Sequence, residues 1–454
     1  MENNSRGAWG SRFGFIMASA GSAIGLGNLW KFPYLAGANG GGAFVLVYLG
    51  IVILLGFTMM LGELSIGRAT KLNQYGAYKK INPKFGFIGG IGILTGFLIL
   101  SFYSVVGGWV IKYIFQYIMG GVQQADKMGY FVSFITNPYE PLIWHGLFMA
   151  ATLFIVLGGV SGGIEKASKI MMPLLFLFLI IIAIRSLTLP GAMEGLKYFL
   201  IPNWSKFNLD VLVKAMGQVF FSLSLGMGTL VTYGSYLEGH EDLPSNALTI
   251  PALDTLAALL AGVAILPAVF AFNQEPGAGP GLMFGTLPNI FASMPLGNLF
   301  GLMFFVLVFF AAVTSAISLL EVPVSWAMDS LKWSRTKAVW IFAGLCFVIG
   351  IGASLSNGPW EQKFYFFSKD GQNFFDVLDY LTSNILLPLG GVFMSLFITF
   401  VWGYDNAFKE IKIGSKNNFA IGGFWKMSMM VGVPLMMALV FLQQTGVLAK
   451  LIGQ

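Results

Sequence analysis

The chain has 454 residues, of which 56% are hydrophobic and only 10% are charged. A soluble domain is typically about 25% charged, so this composition excludes an ordinary soluble protein and indicates a chain whose solvent is lipid. Basic cytoplasmic loops explain the formal net charge of +6, and no nucleic-acid partner is expected. With one cysteine and two histidines, the chain offers neither an internal disulfide nor the ligands of a His/Cys metal site.

Apolar segments long enough to cross a bilayer, which takes about 20 helical residues, recur along the whole chain. The predicted fold is an all-α integral membrane protein with eleven transmembrane helices. The segments at 86–118 and 287–322 exceed one crossing and are expected to be tilted or to carry an extra loop helix. The eleven segments lie at 12–36, 42–67, 86–118, 143–160, 167–189, 211–237, 246–272, 287–322, 337–354, 376–402 and 427–448.

The distribution of basic residues predicts the orientation of the chain. Placing the N-terminus in the cytoplasm puts 16 of the 26 Lys and Arg residues on the inner side. Cytoplasmic loops collect these residues, and the run between 68 and 84 is the strongest part of the bias. We therefore expect a multi-pass membrane protein with a cytoplasmic N-terminus and, after an odd number of crossings, a C-terminus outside.

The first and sixth segments are the most interrupted by glycine, in GSAIGLGN (21–28) and SLSLGMG (222–228). Glycine weakens a helix by about 1 kcal/mol relative to alanine, and unwound backbone at membrane depth is tolerated only where protein or a water-lined cavity satisfies it. Freed carbonyls would suit an alkali cation and freed amides an anion. The alternative is that these glycines only let helices pack closely. Because the two breaks lie five segments apart, they favour a binding site between two inverted units, as in transporters.

Two acidic residues lie within apolar segments. Asp254 has no basic residue within two helical turns, so we expect it to face a cavity and to take a bound cation as its partner. Glu63 lies near the end of its segment, and we expect it to bond backbone groups there.

The eighth segment contains FFAAVTSAIS, in which Ala311, Thr314 and Ser315 share one helix face. Two hydroxyls and a carbonyl on that face could complete an oxygen cage for a cation. The alternative, favoured in isolation, is that the hydroxyls bond their own helix.

Two pairs of opposite charges are candidates for gates. Arg6 and Asp329 are expected together on the inner side, and Lys31 and Asp379 on the outer side. Exposed pairs add little stability, but pairs that form and break could control access.

The run RGAWGSRFGFIMASAGSAIGLGNLWKFPYLAGANGGGAF (6–44) resembles the neurotransmitter:sodium symporter family, most closely its bacterial eleven-helix amino-acid transporters. The resemblance extends through GELSIGR (62–68), GQVFFSLSLGMG (217–228), FFAAVTSAIS (309–318) and FFDVLDYL (374–381), and covers essentially the whole chain. It implies an inverted repeat of five plus five helices, with helices 1 and 6 unwound at mid-membrane. The first repeat would occupy 1–190, the second 191–410, and the eleventh helix with the C-terminus 411–454.

The resemblance also implies sites for substrate and for two sodium ions. The first sodium would be held by Ala23, Asn28, Ser222 and Asp254, and the second by Gly21, Ile24, Ala311, Thr314 and Ser315. Substrate would contact Ala23, Leu26, Gly27, Ile99, Tyr103, Phe221, Ser222, Ser224, Met227, Ser315 and Leu319. Phe221 would be a lid, with Lys31–Asp379 as the outer gate and Arg6–Asp329 as the inner gate.

Three positions depart from the usual family pattern. Lys31 replaces an arginine, which removes a bidentate grip on Asp379 and loosens the expected gate. Asp254 stands where many members have Asn, and its fixed charge would substitute for chloride. Met227 stands where a bulky aromatic residue is common, and a flexible thioether makes the pocket roomy.

The expected function is sodium-coupled, chloride-independent import of hydrophobic L-amino acids, aromatic and branched, by alternating access. The expected location is the plasma membrane of a bacterium, in contact with lipid, and a monomer should suffice for transport. A sodium-dependent transporter of a different small amino acid or amine, or a non-transporting binding homologue, remains the alternative. An enzyme is not expected, because the apolar segments lack a cluster of catalytic His, Cys or carboxylate groups.

Overall fold

The computed structural model describes residues 7–274, 279–360, 362–365, 371–416 and 421–447. These residues form helices and connecting loops, together with two isolated bridges, Gly41 to Pro202 and Phe364 to Gln372. The helices are α1 Arg12–Ala23, α2 Gly27–Ala38, α3 Gly42–Thr70, α4 Gln74–Ile81, α5 Pro83–Ile118, α6 Lys127–Ile135, α7 Glu140–Leu157, α8 Val160–Leu187, α9 Ala192–Leu200, α10 Leu209–Ser222, α11 Thr229–Ser235, α12 Leu243–Ala271, α13 Leu282–Ser293, α14 Gly297–Ser330, α15 Arg335–Leu355, α16 Phe374–Lys412 and α17 Gly422–Gln443.

Nine of the helices in the described residues are long and apolar enough to cross a membrane. A tenth crossing is counted when α1 and α2, which meet at an angle of 55°, are taken as one span. The predicted segment 211–237 consists of two shorter helices, α10 and α11, with residues 223–228 between them. The all-helical membrane class predicted from composition is therefore confirmed.

The two segments that exceed one crossing have different structures. The first is a single helix of 36 residues, α5. The second begins in a separate helix, α13, and the chain then turns at Leu296, whose φ is 60°, before α14 starts. Loop residues with positive φ end a helix locally. The segment 287–322 therefore carries an extra helix, which was one of the two expectations for it.

The interrupted helices lie in the middle of the molecule. Helix α1 packs against α8, α12 and α14, while α10 and α11 both pack against α3. In the most apolar stretch of α14, 72% is buried inside the protein, whereas in the corresponding stretch of α8 only 33% is buried. The polar interruptions are therefore enclosed by helices, and the outer helices leave apolar side chains for lipid.

Close backbone approach holds α3 against α11. A Cβ on Gly67 would lie 2.1 Å from the carbonyl oxygen of Val231 and 2.9 Å from the amide nitrogen of Ser235. Only glycine leaves room for this contact, which is how small residues let helices pack closely inside a membrane.

Candidate functional site

The first helical interruption opens the backbone between α1 and α2. Ile24 has extended geometry with a ψ of 95°, and the helix resumes at Gly27 with a π-helical turn, Gly27–Lys31, before α-helix starts at Phe32. Side chains satisfy two of the freed amides, because the Gly25 N–H donates to Asn28 Oδ1 at 3.1 Å and the Leu26 N–H donates to the Tyr103 hydroxyl at 3.3 Å. The interruption is thus satisfied by protein groups, as membrane burial requires.

Glycine is needed at this interruption for space. A Cβ on Gly25 would lie 2.9 Å from the Ser315 hydroxyl oxygen, and one on Gly27 would lie 3.2 Å from the Phe221 ring. The glycines of the first motif therefore let side chains of other helices approach the opened backbone.

The second interruption follows Ser222. Ser224, Gly226 and Gly228 all have positive φ, at 54°, 79° and 81°, so the backbone here cannot be helical. Glu63 on α3 supports the loop, because its Oε1 accepts a hydrogen bond from the Gly226 N–H at 2.7 Å. The structure therefore agrees with the expectation that Glu63 bonds backbone groups.

The two interruptions meet each other. The Ser224 hydroxyl donates to the carbonyl oxygen of Ser22 at 2.8 Å, and the hydroxyls of Ser22 and Ser318 lie 2.7 Å apart. The C-terminal ends of α1 and α10 thus converge beside the middle of α14, and both ends present the partial negative charge of their free carbonyls.

A buried cavity with about 350 Å³ of empty space lies at this junction. All eleven residues predicted to contact substrate line it, together with Ser22, Gly25 and Asn28. The cavity has two kinds of wall. Ile99, Met227 and Leu319 form an apolar side, and the Tyr103 hydroxyl with the opened backbone of α1 and α2 forms a polar side.

Asp254 on α12 is completely buried beside this cavity. Its carboxylate accepts hydrogen bonds from Asn28 Nδ2 at 2.8 Å, from the Ser222 hydroxyl at 2.9 and 3.0 Å, and from the Tyr48 hydroxyl at 3.3 Å. These partners are all neutral, and none of the ion pairs among the described residues includes Asp254. A buried carboxylate with only neutral partners is costly, so a cation is the partner that this environment lacks.

The predicted ligands of the first sodium ion fall in one neighbourhood. Asn28, Ser222 and Asp254 form a single hydrogen-bonded cluster, and Ala23 lies at the end of α1 on the wall of the cavity. The structure brings these four residues together although they are up to 231 positions apart in the sequence.

The predicted ligands of the second sodium ion are also buried and lie between α1 and α14. The Ser315 hydroxyl donates to the carbonyl oxygens of Gly21 at 3.3 Å and Ser22 at 3.1 Å. The Thr314 hydroxyl bonds its own helix, at Phe310 and Ala311. Ile24 is fully buried at the interruption. Ser315 therefore reaches across to α1, whereas Thr314 has the within-helix bonding considered as the alternative.

The structure separates the two residues of the predicted outer gate. No ion pair within 4.0 Å joins Lys31 and Asp379, both of which are described. The Lys31 ammonium instead lies 5.1 Å from the centre of the Phe221 ring, and Asp379 accepts a hydrogen bond from Ser383 at 2.9 Å. A second cavity, with about 530 Å³ of empty space, is lined by Lys31, Phe221 and Ser383.

The inner gate is only partly described. Arg6 lies outside the described residues. Its predicted partner, Asp329, accepts hydrogen bonds from the backbone and side-chain amides of Asn73, both at 2.8 Å.

Glu165 makes a contact near the start of α1 that the sequence did not reveal. Its carboxylate accepts hydrogen bonds from the Gly10 N–H at 2.6 Å and the Ser11 hydroxyl at 2.9 Å, and it pairs with Lys169 at 2.5 Å. A Cβ on Gly14 would lie 2.1 Å from this carboxylate. Glu165 therefore fastens the beginning of α1 to α8.

Sequence patterns did not identify two further polar residues of the site. Tyr48 and Gln218 are single polar groups in apolar helices; Tyr48 bonds Asp254, and the Gln218 amide donates to the carbonyl oxygen of Gly27 at 3.1 Å. The available signal is the cost of burying such a group without a hydrogen-bond partner. It predicts that each side chain has a partner, but it does not identify the partner.

Comparison with known proteins agrees with this geometry. The model of the sodium:neurotransmitter symporter family matches residues 6–125 and 139–451. An uncharacterized sodium-dependent transporter of Bacillus subtilis, YhdH, is 42% identical over 97% of this chain and 98% of its own length. An uncharacterized sodium-dependent transporter of Haemophilus influenzae is 37% identical over 97% and 98%.

A solved structure is also similar to this chain. The crystal structure of MhsT in complex with L-phenylalanine has 44% sequence identity and a TM-score of 0.89, and the match covers 97% of this chain and 100% of that one. The matches span nearly the whole length of both partners and include the two interrupted segments. The chain therefore belongs to the sodium:neurotransmitter symporter family and is a sodium-dependent membrane transporter.

Proposed function

We propose that the chain is a sodium-coupled, chloride-independent symporter that imports hydrophobic L-amino acids, aromatic and branched, by alternating access. The observation that carries the proposal is the cavity between the two interruptions. It combines a polar wall of opened backbone, an apolar wall, and a buried carboxylate that forms an ion pair with none of the described residues. Each of these three features fits one part of the transported set: the charged groups of an amino acid, its side chain, and sodium.

The polar wall suits the charged groups of an amino acid. The amides at the start of α2, near Leu26 and Gly27, are the positive end of a helix and favour a carboxylate. The Tyr103 hydroxyl, which already accepts from the Leu26 N–H, is placed to donate to the same carboxylate. The carbonyl end of α10, near Phe221 and Ser224, favours the ammonium group.

The apolar wall suits a hydrophobic side chain. Ile99, Met227 and Leu319 line it, and Phe221 lies on the outer side, where its ring would act as a lid. The cavity holds about 350 Å³ of empty space, and its mainly apolar lining with a few placed polar groups is typical of small-molecule sites. The L-phenylalanine held by MhsT supports an aromatic substrate for this chain as well.

A bound sodium ion would supply the positive charge that the site lacks. An ion beside Asp254, Asn28 and Ser222 would neutralise the buried carboxylate and face the substrate's carboxylate from the opposite side. Each of the two ligands would then strengthen the binding of the other, which is a coupling free energy between sites. A second ion would use Gly21, Ile24 and the α14 residues Ala311, Thr314 and Ser315.

The fixed charge of Asp254 is the reason to expect chloride independence. In a site that holds Asn at this position, the charge of a bound sodium ion must be balanced by some other negative group, and a mobile anion such as chloride is one candidate. Here the balancing negative charge is part of the protein, so chloride removal should leave transport unchanged.

The proposed transport cycle uses the inverted repeat. Eleven crossings result when the interrupted pairs α1–α2 and α10–α11 are each counted once beside the nine long helices. The repeats would comprise residues 1–190 and 191–410, with 411–454 following them, the N-terminus in the cytoplasm and the C-terminus outside. Rocking of one repeat against the other, around the site that they share, would expose it to each side in turn. Lys31–Asp379 would close the outer side and Arg6–Asp329 the inner side, within one monomer.

The ion gradients are sufficient for this task. Two sodium ions at about 100 mV and tenfold concentration gradients supply about 7 kcal/mol. That energy can sustain an amino-acid gradient of roughly 10⁵ at the limit.

The test is uptake of labelled phenylalanine, tryptophan and leucine into vesicles that contain the purified protein. It is run with and without an inward sodium gradient, in chloride or in gluconate. Sodium-driven uptake that is equal in both anions supports the proposal. Uptake that needs chloride overturns the role of Asp254, and sodium flux without amino acid indicates a channel. Sodium-dependent binding without counterflow indicates a non-transporting homologue, and stimulation only by another amino acid or amine overturns the substrate class.

A further inference from the structure

A third cavity lies away from the central site, as a groove among α4, α5, α14 and α15. It holds about 1,130 Å³ of empty space, part of it open to the surroundings. No step of the proposed transport cycle uses it. Its lining includes Tyr75, Lys79, Ile93, Phe97, Trp326 and Phe342.

The body of the groove is apolar and partly aromatic. It follows α5 from Gly90 to Phe97, and the seven steps between these residues, at 1.5 Å each, cover roughly 10 Å. The Phe342 ring lies 6.1 Å from that of Phe97 and 6.2 Å from that of Trp326, centre to centre. Leu94 on the rim is 48% exposed. In a lipid-embedded chain, a concave apolar surface of this kind fits a hydrocarbon chain.

One end of the groove is polar and positively charged. Lys79 and Ser330 are exposed there, and the Lys79 ammonium lies 5.6 Å from the centre of the Tyr75 ring. Of the described residues that line the groove, Lys79 is the one charged group, and none of the lining residues is acidic. Tyrosine, tryptophan and lysine are the residues that mark the interface between lipid and water.

Charge complementarity identifies the occupant. A phosphate at this end would meet an ammonium, a tyrosine ring and a serine hydroxyl, and no acidic residue is among those that line the groove. Basic pockets between helices on the cytoplasmic side bind anionic headgroups. The cytoplasmic position of this end rests on the orientation proposed above.

We propose that this groove is a binding site for an anionic phospholipid of the inner leaflet. One acyl chain lies along α5 between the rings of Phe97, Trp326 and Phe342, and the phosphate binds Lys79. The bound lipid contacts α4, α5, α14 and α15 together, so it links the loop helix α4 to the ends of two membrane helices.

The experiment measures lipids retained by the purified full-length protein, by native mass spectrometry after exchange into phosphatidylglycerol or phosphatidylcholine of equal chain length. Lys79→Gln removes the charge, and Lys84→Gln is the matched control, because Lys84 is an exposed lysine of the same basic run that does not line the groove. Gly90→Phe fills the groove, where a Cβ at position 90 meets nothing within 4 Å.

The wild type should retain at least one phosphatidylglycerol in preference to phosphatidylcholine. Lys79→Gln should reduce that preference about fivefold, Lys84→Gln should leave it unchanged, and Gly90→Phe should abolish retention of either lipid at this site. Equal retention of the two lipids by the wild type overturns the proposal. So does an equal loss in the two lysine variants, or full retention by Gly90→Phe. Because the readout is lipid retention and not uptake, its failure is distinct from failure of the proposed transport function.

Discussion

Replacing Asp254 by asparagine tests the electrostatics of the site directly. The substitution keeps the shape of the side chain and one acceptor oxygen, but it removes the only negative charge of the hydrogen-bonded cluster around Asn28 and Ser222. The Ser222 hydroxyl can rotate to accept from the new amide, so the fold should survive. The expected loss is therefore in sodium binding.

The size of the loss follows from Coulomb's law. Two unit charges about 4 Å apart interact by about 4 kcal/mol at an effective dielectric constant near 20, which corresponds to roughly a thousandfold in affinity. Tyr48→Phe serves as the matched control. It removes one 3.3 Å hydrogen bond to the same carboxylate and keeps the charge, so its expected effect is about tenfold or less.

The assay is equilibrium binding of labelled phenylalanine as a function of sodium concentration, in chloride and in gluconate. For Asp254→Asn the half-saturating sodium concentration should rise by about two to three orders of magnitude in gluconate, and chloride should restore part of the loss. The wild type should give the same curve in both anions. A half-saturating concentration that stays within threefold of the wild type in Asp254→Asn would refute the reasoning.

Three further predictions concern contacts around the site. Gly67→Ala should lower the free energy of unfolding by about 1–3 kcal/mol, because its Cβ would lie 2.1 Å from a backbone oxygen of α11. The control is Gly50→Ala on the same helix, where a Cβ meets nothing within 4 Å. This variant should have the melting temperature of the wild type. Equal melting temperatures in detergent for the two variants would contradict the close packing of α3 and α11. Glu165→Gln should increase deuterium uptake across residues 10–14, because the substitution removes the ion pair with Lys169 and weakens the hold on the start of α1; unchanged uptake would show that this contact does not fasten α1. Lys31→Arg should lower the KM for substrate and slow its exit, because a guanidinium can grip Asp379 bidentately, and unchanged uptake kinetics would exclude a loose outer gate.

Apolar runs were sufficient to predict where most helices lie. The cost of leaving a backbone group unpaired in lipid forces such runs to be helical, so segments such as 246–272 and 337–354 correspond to α12 and α15 within a few residues. The length of 287–322 allowed for an extra helix, which the structure contains, but not for the position of the turn at Leu296, because apolar residues continue on both sides of it.

The glycine motifs predicted where the helices are interrupted, and the lack of a nearby basic residue predicted a bound cation as the partner of Asp254, which stays a prediction. These are local properties, because they depend on the conformational preference of one residue and on the charges beside it. Glu63 could be assigned to backbone bonding for the same local reason.

Which side chains meet was decided only by the tertiary structure. Tyr48 bonds Asp254 from a position 206 residues away, and Lys31 lies over Phe221 and not beside Asp379. Each residue turns a helix by 100°, so the partner of a buried hydroxyl depends on the rotation and tilt of two helices at once. A sequence specifies that such a group must be satisfied, and the packing of all the helices together determines by which atom.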